Sequence, residues 1–312
     1  MPADTGLAGT PPPDLAPSSA SASAAALSES PRNGTRPLPP NRNRLGTGAW
    51  LAVGFLAVLC AAALLAPVLP LEDPTRSDTD ALAAGISGDH WLGTDALGRD
   101  TLARIVHGAR VSLVVGAGAT VIGAVVGTVL GMAAGMGRGL LPGVIMRLTD
   151  VLLAFPAMIF ALAVIGAVGP STTSVTLVIG LLFVPGFVRI VRAPVLSLSQ
   201  REFVLSCRAM GMSAPRLMLR EILPNILTGI VTYGVTMFGV GVMVEGGLGF
   251  LGVSVPPPDP TWGGMIAEGR QVLAEHPMVT LTPTLVLVLV VLCANVVGDR
   301  LSARLDMRGA ML

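Results

Sequence analysis

The chain has 312 residues, of which 52% are hydrophobic and only 12% are charged, and its formal net charge is +1. Because a soluble domain carries roughly 25% charged residues, this composition indicates a membrane protein. The near-neutral charge excludes a general nucleic-acid-binding surface, which needs a basic excess. All 20 Lys and Arg positions are Arg, so a phosphate-binding loop that ends in Gly-Lys-Ser/Thr is absent. The three Cys and three His are scattered and predict neither a disulfide framework nor a metal site.

The first segment, residues 1–47, differs in composition from the rest of the chain. It is rich in Pro, Ser and Ala, and such a segment cannot bury enough apolar surface to offset the loss of chain entropy. No short apolar core with a cleavage site follows a basic start, which argues against a signal peptide. We therefore predict a disordered cytoplasmic tail.

Uncharged runs predict six transmembrane helices, since about 20 apolar residues cross the roughly 30 Å hydrocarbon core. The first helix is expected at residues 48–71, followed by an extracytoplasmic segment at residues 72–110. Residues 111–312 then hold a core of five helices. The uncharged run at residues 150–189 is too long for one helix, and Gly, Pro and Ser at residues 166–171 predict a hairpin of two spans.

The distribution of Arg predicts the orientation in the membrane. With the N-terminus inside, fifteen of the 20 Arg fall in cytoplasmic segments, and Arg is retained on that side. Both termini are therefore expected in the cytoplasm, with residues 299–312 as a cytoplasmic tail. The largest cytoplasmic loop is residues 193–224.

Glycines recur every four residues along the second predicted span, so they share one helix face. A face without side chains allows another backbone to approach closely. We interpret this face as a packing surface, against either another helix of the bundle or a partner subunit. Its members are Gly123, Gly127, Gly131 and Gly135.

The loop at residues 193–224 is amphipathic and rich in Arg. Apolar residues from Phe203 onward fall at helical spacing on one face, opposite charged residues. Pro215 and Pro224 limit helix length, which predicts two short helices joined near residues 211–213 and a helix break at Pro224. Such a helix lies either on lipid or in a groove of another protein; the absence of Lys and of large aromatic residues favours the protein.

The same loop resembles the coupling loop of ABC importer permeases, whose signature is E-A-A, three residues, Gly, nine residues and I-x-L-P. Gly211, Leu223 and Pro224 stand at the family's separation, whereas Leu-Ser-Cys at residues 205–207 replaces E-A-A. Three further blocks resemble C-type permeases of dipeptide and oligopeptide importers. They are LGTDALGRDTLARIVHGARVSL (92–113), GLGFLGVSVPPPDPTWGGMIAEGR (247–270) and NVVGDRLSARLDMR (295–308).

The resemblance implies an all-α membrane protein with the type I ABC importer permease fold, in the bacterial plasma membrane. It implies a heterodimer with a second permease, cytoplasmic ATPase subunits, an extracytoplasmic peptide-binding protein and a peptide cargo, in contact with membrane lipid. This chain would be non-catalytic and bind no cofactor, because the partner ATPase would bind ATP and Mg. Other cargoes of similar permeases are glutathione, nickel chelates and haem.

The resemblance also implies which residues contact the ATPase, in a coupling helix at about residues 203–214. These are Arg201, Glu202, Phe203, Ser206, Cys207, Arg208, Met210, Gly211, Met212 and Pro224.

Three residues are candidates for the translocation path or gate: Asp150, Glu245 and Phe250. Acids inside a membrane are often functional. For Asp150 we favour a local ion pair with Arg147 or a helix-end position. Glu245 is expected near the outer mouth, just before a glycine-rich turn at residues 246–249.

Two other classes of function are possible for a membrane protein of this composition. A proton-coupled secondary transporter would use Asp150 or Glu245, but the sequence shows neither internal repeats nor paired midplane acids. A channel or scaffold protein would have no evident role for the Arg-rich loop.

Trp91 and Trp262 suit either a docking surface for the binding protein or an interfacial aromatic belt.

Overall fold

The computed structural model describes the backbone of residues 47–309 and the side chains of residues 47–303. The predicted disordered tail at residues 1–47 therefore lies almost wholly outside the described residues. Within them the chain is helical and holds no strand, which agrees with the predicted all-α class. Among the described residues, five helices are long and apolar enough to cross a membrane, and the count reaches the predicted six when one bent helix pair is taken as a single span.

The helices of the first half are α1 (Thr47–Leu65), α2 (Thr101–Met136), α3 (Leu141–Ala154), α4 (Ala157–Val168) and α5 (Thr172–Ser199). Those of the second half are α6 (Glu202–Ala209), α7 (Ala214–Leu217), α8 (Leu223–Phe250), α9 (Trp262–Gly269) and α10 (Pro277–Gly309). A π-helical turn at Met218–Ile222 joins α7 to α8.

Three helix boundaries differ from the predicted ones. Helix α1 ends at Leu65, and α2 begins at Thr101 rather than at residue 111. The Asp100 carboxylate caps α2 by accepting a hydrogen bond from the Ala103 N–H at 2.7 Å, as N-cap aspartates do. Helix α10 continues to Gly309 through most of the predicted C-terminal tail. Charged residues mark where the hydrocarbon ends, whereas α2 and α10 extend beyond it and α1 ends before it.

The third predicted span is broken in the middle. Helices α3 and α4 meet at 89°, and the break lies at Phe155 and Pro156. Phe155 is extended, with φ −86° and ψ 135°, because the residue before a proline is disfavoured in the helical region and proline donates no backbone hydrogen bond. The predicted hairpin turn is present between α4 and α5, where Gly169 has φ +98°.

The centre of the bundle is the contact between α2 and α5. An added Cβ on Gly123 would lie 2.6 Å from the Phe183 Cβ, and one on Gly127 would lie 2.3 Å from the Phe187 Cβ. Gly131 and Gly135 meet Val191 and Val195 in the same way. The glycine face of α2 therefore receives a ridge of large α5 side chains, also spaced four residues apart.

Helix α8 packs against α2 nearer its N-terminus, where Gly116 lies against Gly241 and Val242. The predicted helix break at Pro224 is wrong, because Pro224 lies in the first turn of α8. The preceding π-helical turn carries the chain through, with the Leu223 N–H bonded to the Met218 carbonyl. Residues 246–249 are the last turns of α8, not the glycine-rich turn that we predicted.

The α2–α5 contact leads to a stability prediction. Gly127→Ala should lower the thermal unfolding midpoint of the detergent-solubilised protein, because overpacking costs about 1–3 kcal/mol. Gly143→Ala on α3 is the control, since an added Cβ there meets nothing within 4 Å. Equal midpoints for the two variants would contradict the packing role of Gly127.

Candidate coupling and translocation site

The loop after α5 forms two short helices, as the sequence predicts. Two residues separate α6 from α5. Helix α6 has Glu202 in its first turn and Arg208 in its last turn, an arrangement that complements the helix dipole. The chain turns at Gly211, whose φ is +82°. Because nothing lies within 4 Å of an added Cβ, this glycine is required by backbone conformation and not by space.

The apolar side chains of α6 divide between two directions. Val204 is buried and anchors the helix. Phe203, Leu205 and Met210 are 39%, 50% and 77% exposed. The predicted single apolar face is therefore split, and most of it remains uncovered in this chain. Exposed apolar side chains on a short helix outside the membrane spans are typical of a protein-interaction surface.

The other predicted ATPase contacts lie on or beside this exposed surface. Arg201, Glu202, Ser206 and Gly211 are exposed, whereas Cys207, Arg208 and Met212 are partly buried. Pro224 is exposed but lies beyond the π-helical turn, at the start of α8.

Glu245 lies inside α8 and is completely buried. Its carboxylate accepts a hydrogen bond from the Ser112 hydroxyl of α2 at 2.7 Å and one from the Ser254 hydroxyl at 2.9 Å. Both oxygens are thus occupied by groups of the same chain. This arrangement ties the segment after α8 to α8 and α2.

Helix α9 is wedged against the adjoining ends of α2 and α8. Trp262 is fully buried and its Nε1–H donates to the Ile105 carbonyl at 3.1 Å, so it is neither a docking nor a belt residue. A Cβ on Gly263 would lie 2.2 Å from the Gly246 carbonyl oxygen. Trp91, in contrast, is exposed.

A buried charge cluster holds the segment between α1 and α2 in place, and the sequence interpretation missed it. Asp95 pairs with Arg99 through Nε at 2.7 Å, and Glu268 of α9 pairs with both Arg99 and Arg104. His90 Nδ1 lies 3.0 Å from the Asp100 carboxylate. In the sequence, only the alternation of acids and arginines at residues 95–104 indicates this pairing.

Asp150 and Phe250 differ from Glu245 because both remain accessible. Asp150 pairs across helices with Arg189 of α5 at 2.7 Å, so the predicted pair with Arg147 is wrong, whereas the alternative of a helix-end position agrees with its place four residues before the end of α3. The side chains of Asp150 and Arg189 are 57% and 53% exposed. Phe250 ends α8, and the Arg270 guanidinium carbon lies 5.9 Å from its ring centroid, within cation–π range. The described residues contain no cluster of His, Cys, Asp and Glu that could hold a metal ion.

The geometry agrees with what comparisons with known proteins show. The family model described as "Binding-protein-dependent transport system inner membrane component" matches residues 127–308. The dipeptide transport system permease protein DppC of Alkalihalophilus pseudofirmus is 35% identical over 270 residues, 85% of this chain and 86% of the relative. The chain belongs to this permease family. The glutathione transport system permease protein GsiD of Salmonella paratyphi A is 40% identical over 259 residues, 83% of this chain and 86% of the relative.

The permease fold also matches a solved structure. A chain of the MetNI methionine ABC transporter, in an inward-facing conformation, has a TM-score of 0.53 at 19% identity and covers 64% of this chain and 95% of that chain. The likeness supports the fold alone. The chain is thus the membrane-spanning permease component of a binding-protein-dependent ABC importer in the bacterial inner membrane.

The buried position of Glu245 leads to a second stability prediction. Glu245→Leu should lower the thermal midpoint, because two buried hydroxyls lose their acceptor at a cost of about 1–3 kcal/mol for each unsatisfied group. Glu245→Gln keeps one carbonyl acceptor and should lose less. A Leu variant as stable as the unmodified protein would argue against the bonding role of Glu245.

Proposed function

We propose that this permease pairs with a second permease subunit and that α6 docks on a cytoplasmic ABC ATPase, which binds ATP and Mg. The exposed apolar surface of α6 carries the proposal. It sits on a helix with a buried anchor at Val204, between α5 and the continuous helix formed by α7, the π-helical turn and α8. Movement of a docked ATPase would therefore be passed to two membrane spans.

The same proposal places both termini in the cytoplasm. The Arg bias supports this orientation, and it puts α6 and the α2–α3 turn on the cytoplasmic side. The segment between α1 and α2 and the segment around α9 then face outward. There they would receive the extracytoplasmic binding protein.

We propose a short peptide as the cargo. The named relatives transport a dipeptide and glutathione, and both cargoes are short peptides. For the path itself we assign Phe250, which is accessible. We give Glu245 an internal bonding role because both of its oxygens are already engaged, and we give Asp150 no contact with the cargo because it is paired with Arg189.

Reconstitution in proteoliposomes tests this function. The purified chain, recovered with its co-purifying subunits, should take up labelled dipeptide or glutathione only with ATP and a loaded binding protein. Uptake of nickel chelate or haem instead would overturn the peptide assignment. Uptake driven by a proton gradient without ATP would establish the secondary-transporter alternative.

Gly211 provides the test of ATPase coupling. Gly211→Asp should leave membrane insertion intact but strongly lower ATP-driven uptake, because it adds a charge and a strained side chain beside the exposed surface of α6. Gly139→Asp is a matched control: Gly139 also has positive φ, at +70°, with open space around it. Normal ATPase binding and uptake in the Gly211 variant would rule out this site as the coupling surface.

A further inference from the structure

The ion pair between Asp150 and Arg189 connects α3 to α5. Among residues 47–303, it is the one side-chain hydrogen bond that joins α3 to another helix. Every other ion pair in these residues belongs to the cluster near the start of α2 and α9. Charged groups do not face hydrocarbon without large cost, so the half-exposed pair faces water or protein.

Apart from this ion pair, few buried side chains attach α3 to the rest of the bundle. It buries only Ile145 and Thr149, and most of its remaining apolar side chains are exposed. The break at Phe155 and Pro156 also separates it from α4, which packs independently through Ala161 and Ile165. An element with few buried contacts moves at low free-energy cost, so the pair adds a second tie to α5 beside the packing of Ile145 on Val184 and Val188.

Arg189 lies on the helix that leads directly to α6. Helix α5 ends at Ser199, and α6 begins at Glu202. The contact of α5 with the α2 glycines extends from Phe183 to Val195, and Arg189 lies within this stretch with its side chain half exposed. A displacement of α6 therefore reaches Asp150 through one helix and one charged contact.

We propose that Asp150 and Arg189 are positioning residues that make α3 follow α5, so that movement of α6 reorients α3 about the break at Phe155 and Pro156. The pair thereby links the ATPase-facing surface to the path-facing side of the bundle. This inference rests on the proposed function. It assigns the pair no contact with the cargo.

The test uses the whole importer, reconstituted with its permease, ATPase and binding-protein partners. The readout is the number of dipeptides transported per ATP hydrolysed. Asp150→Asn and Arg189→Gln should each lower this ratio about fivefold, the size of effect that a half-exposed ion pair supports. The exchanged variant, Asp150→Arg with Arg189→Asp, should regain the ratio to within about twofold, because it restores opposite charges at the same two positions.

Arg147→Gln is the matched control. Arg147 lies one turn before Asp150 on α3, is exposed and forms no ion pair among the described residues, so its ratio should stay unchanged. Unchanged ratios in both single variants would overturn the proposal, as would a loss shared equally by Arg147→Gln. A lowered yield of assembled complex with a constant ratio would show a purely structural pair and would also overturn it. An unmodified complex that shows no ATP-driven uptake would instead refute the proposed function.

Discussion

The close contact between α2 and α5 is the constraint on which the rest of the bundle depends. In a membrane the hydrophobic effect gives helices little reason to associate, so van der Waals contact at short distance must hold them together. Four glycines on α2 admit two Phe and two Val side chains of α5 almost to the backbone. Helix α8 packs against α2 nearer its N-terminus, at Gly116, and α3, α4 and α6 are all positioned relative to α5.

Much of the architecture could be predicted from patterns that act locally. The glycine spacing indicated a packing face, and uncharged runs located the spans. Gly211 indicated the turn between two short helices. The contacts that the sequence did not predict are side-chain pairs between residues far apart in the chain. Arg104 lies in the first turn of α2 and is buried between Asp95 and Glu268, the second of which is 164 residues away in sequence. Asp150 pairs with Arg189, 39 residues distant, and not with the adjacent Arg147.

Pro156 and Pro224 show why local sequence rules do not predict where a proline breaks a helix. Pro156 breaks its span, whereas Pro224 is absorbed because a π-helical turn precedes it. Both lack the same backbone donor, so the difference lies in the preceding residues and their packing. Ile222, within the π-helical turn, is completely buried and belongs to the core around α2 and α5. Tertiary contacts therefore favour a continuous helix at Pro224, and no such support surrounds Phe155.

The π-helical turn also fixes a rotational phase. Each residue of an α-helix advances the direction of its side chain by about 100°, and a π-helical turn holds one residue more than the regular repeat would place there. Residues 214–217 are thus turned relative to α8 by this extra residue. A single deletion within Met218–Ile222 would leave every membrane-spanning residue of α8 in place, yet rotate the outward side of α7 and redirect the chain that leads back to α6. The extra residue of the π-helical turn therefore sets the direction in which the docking surface faces.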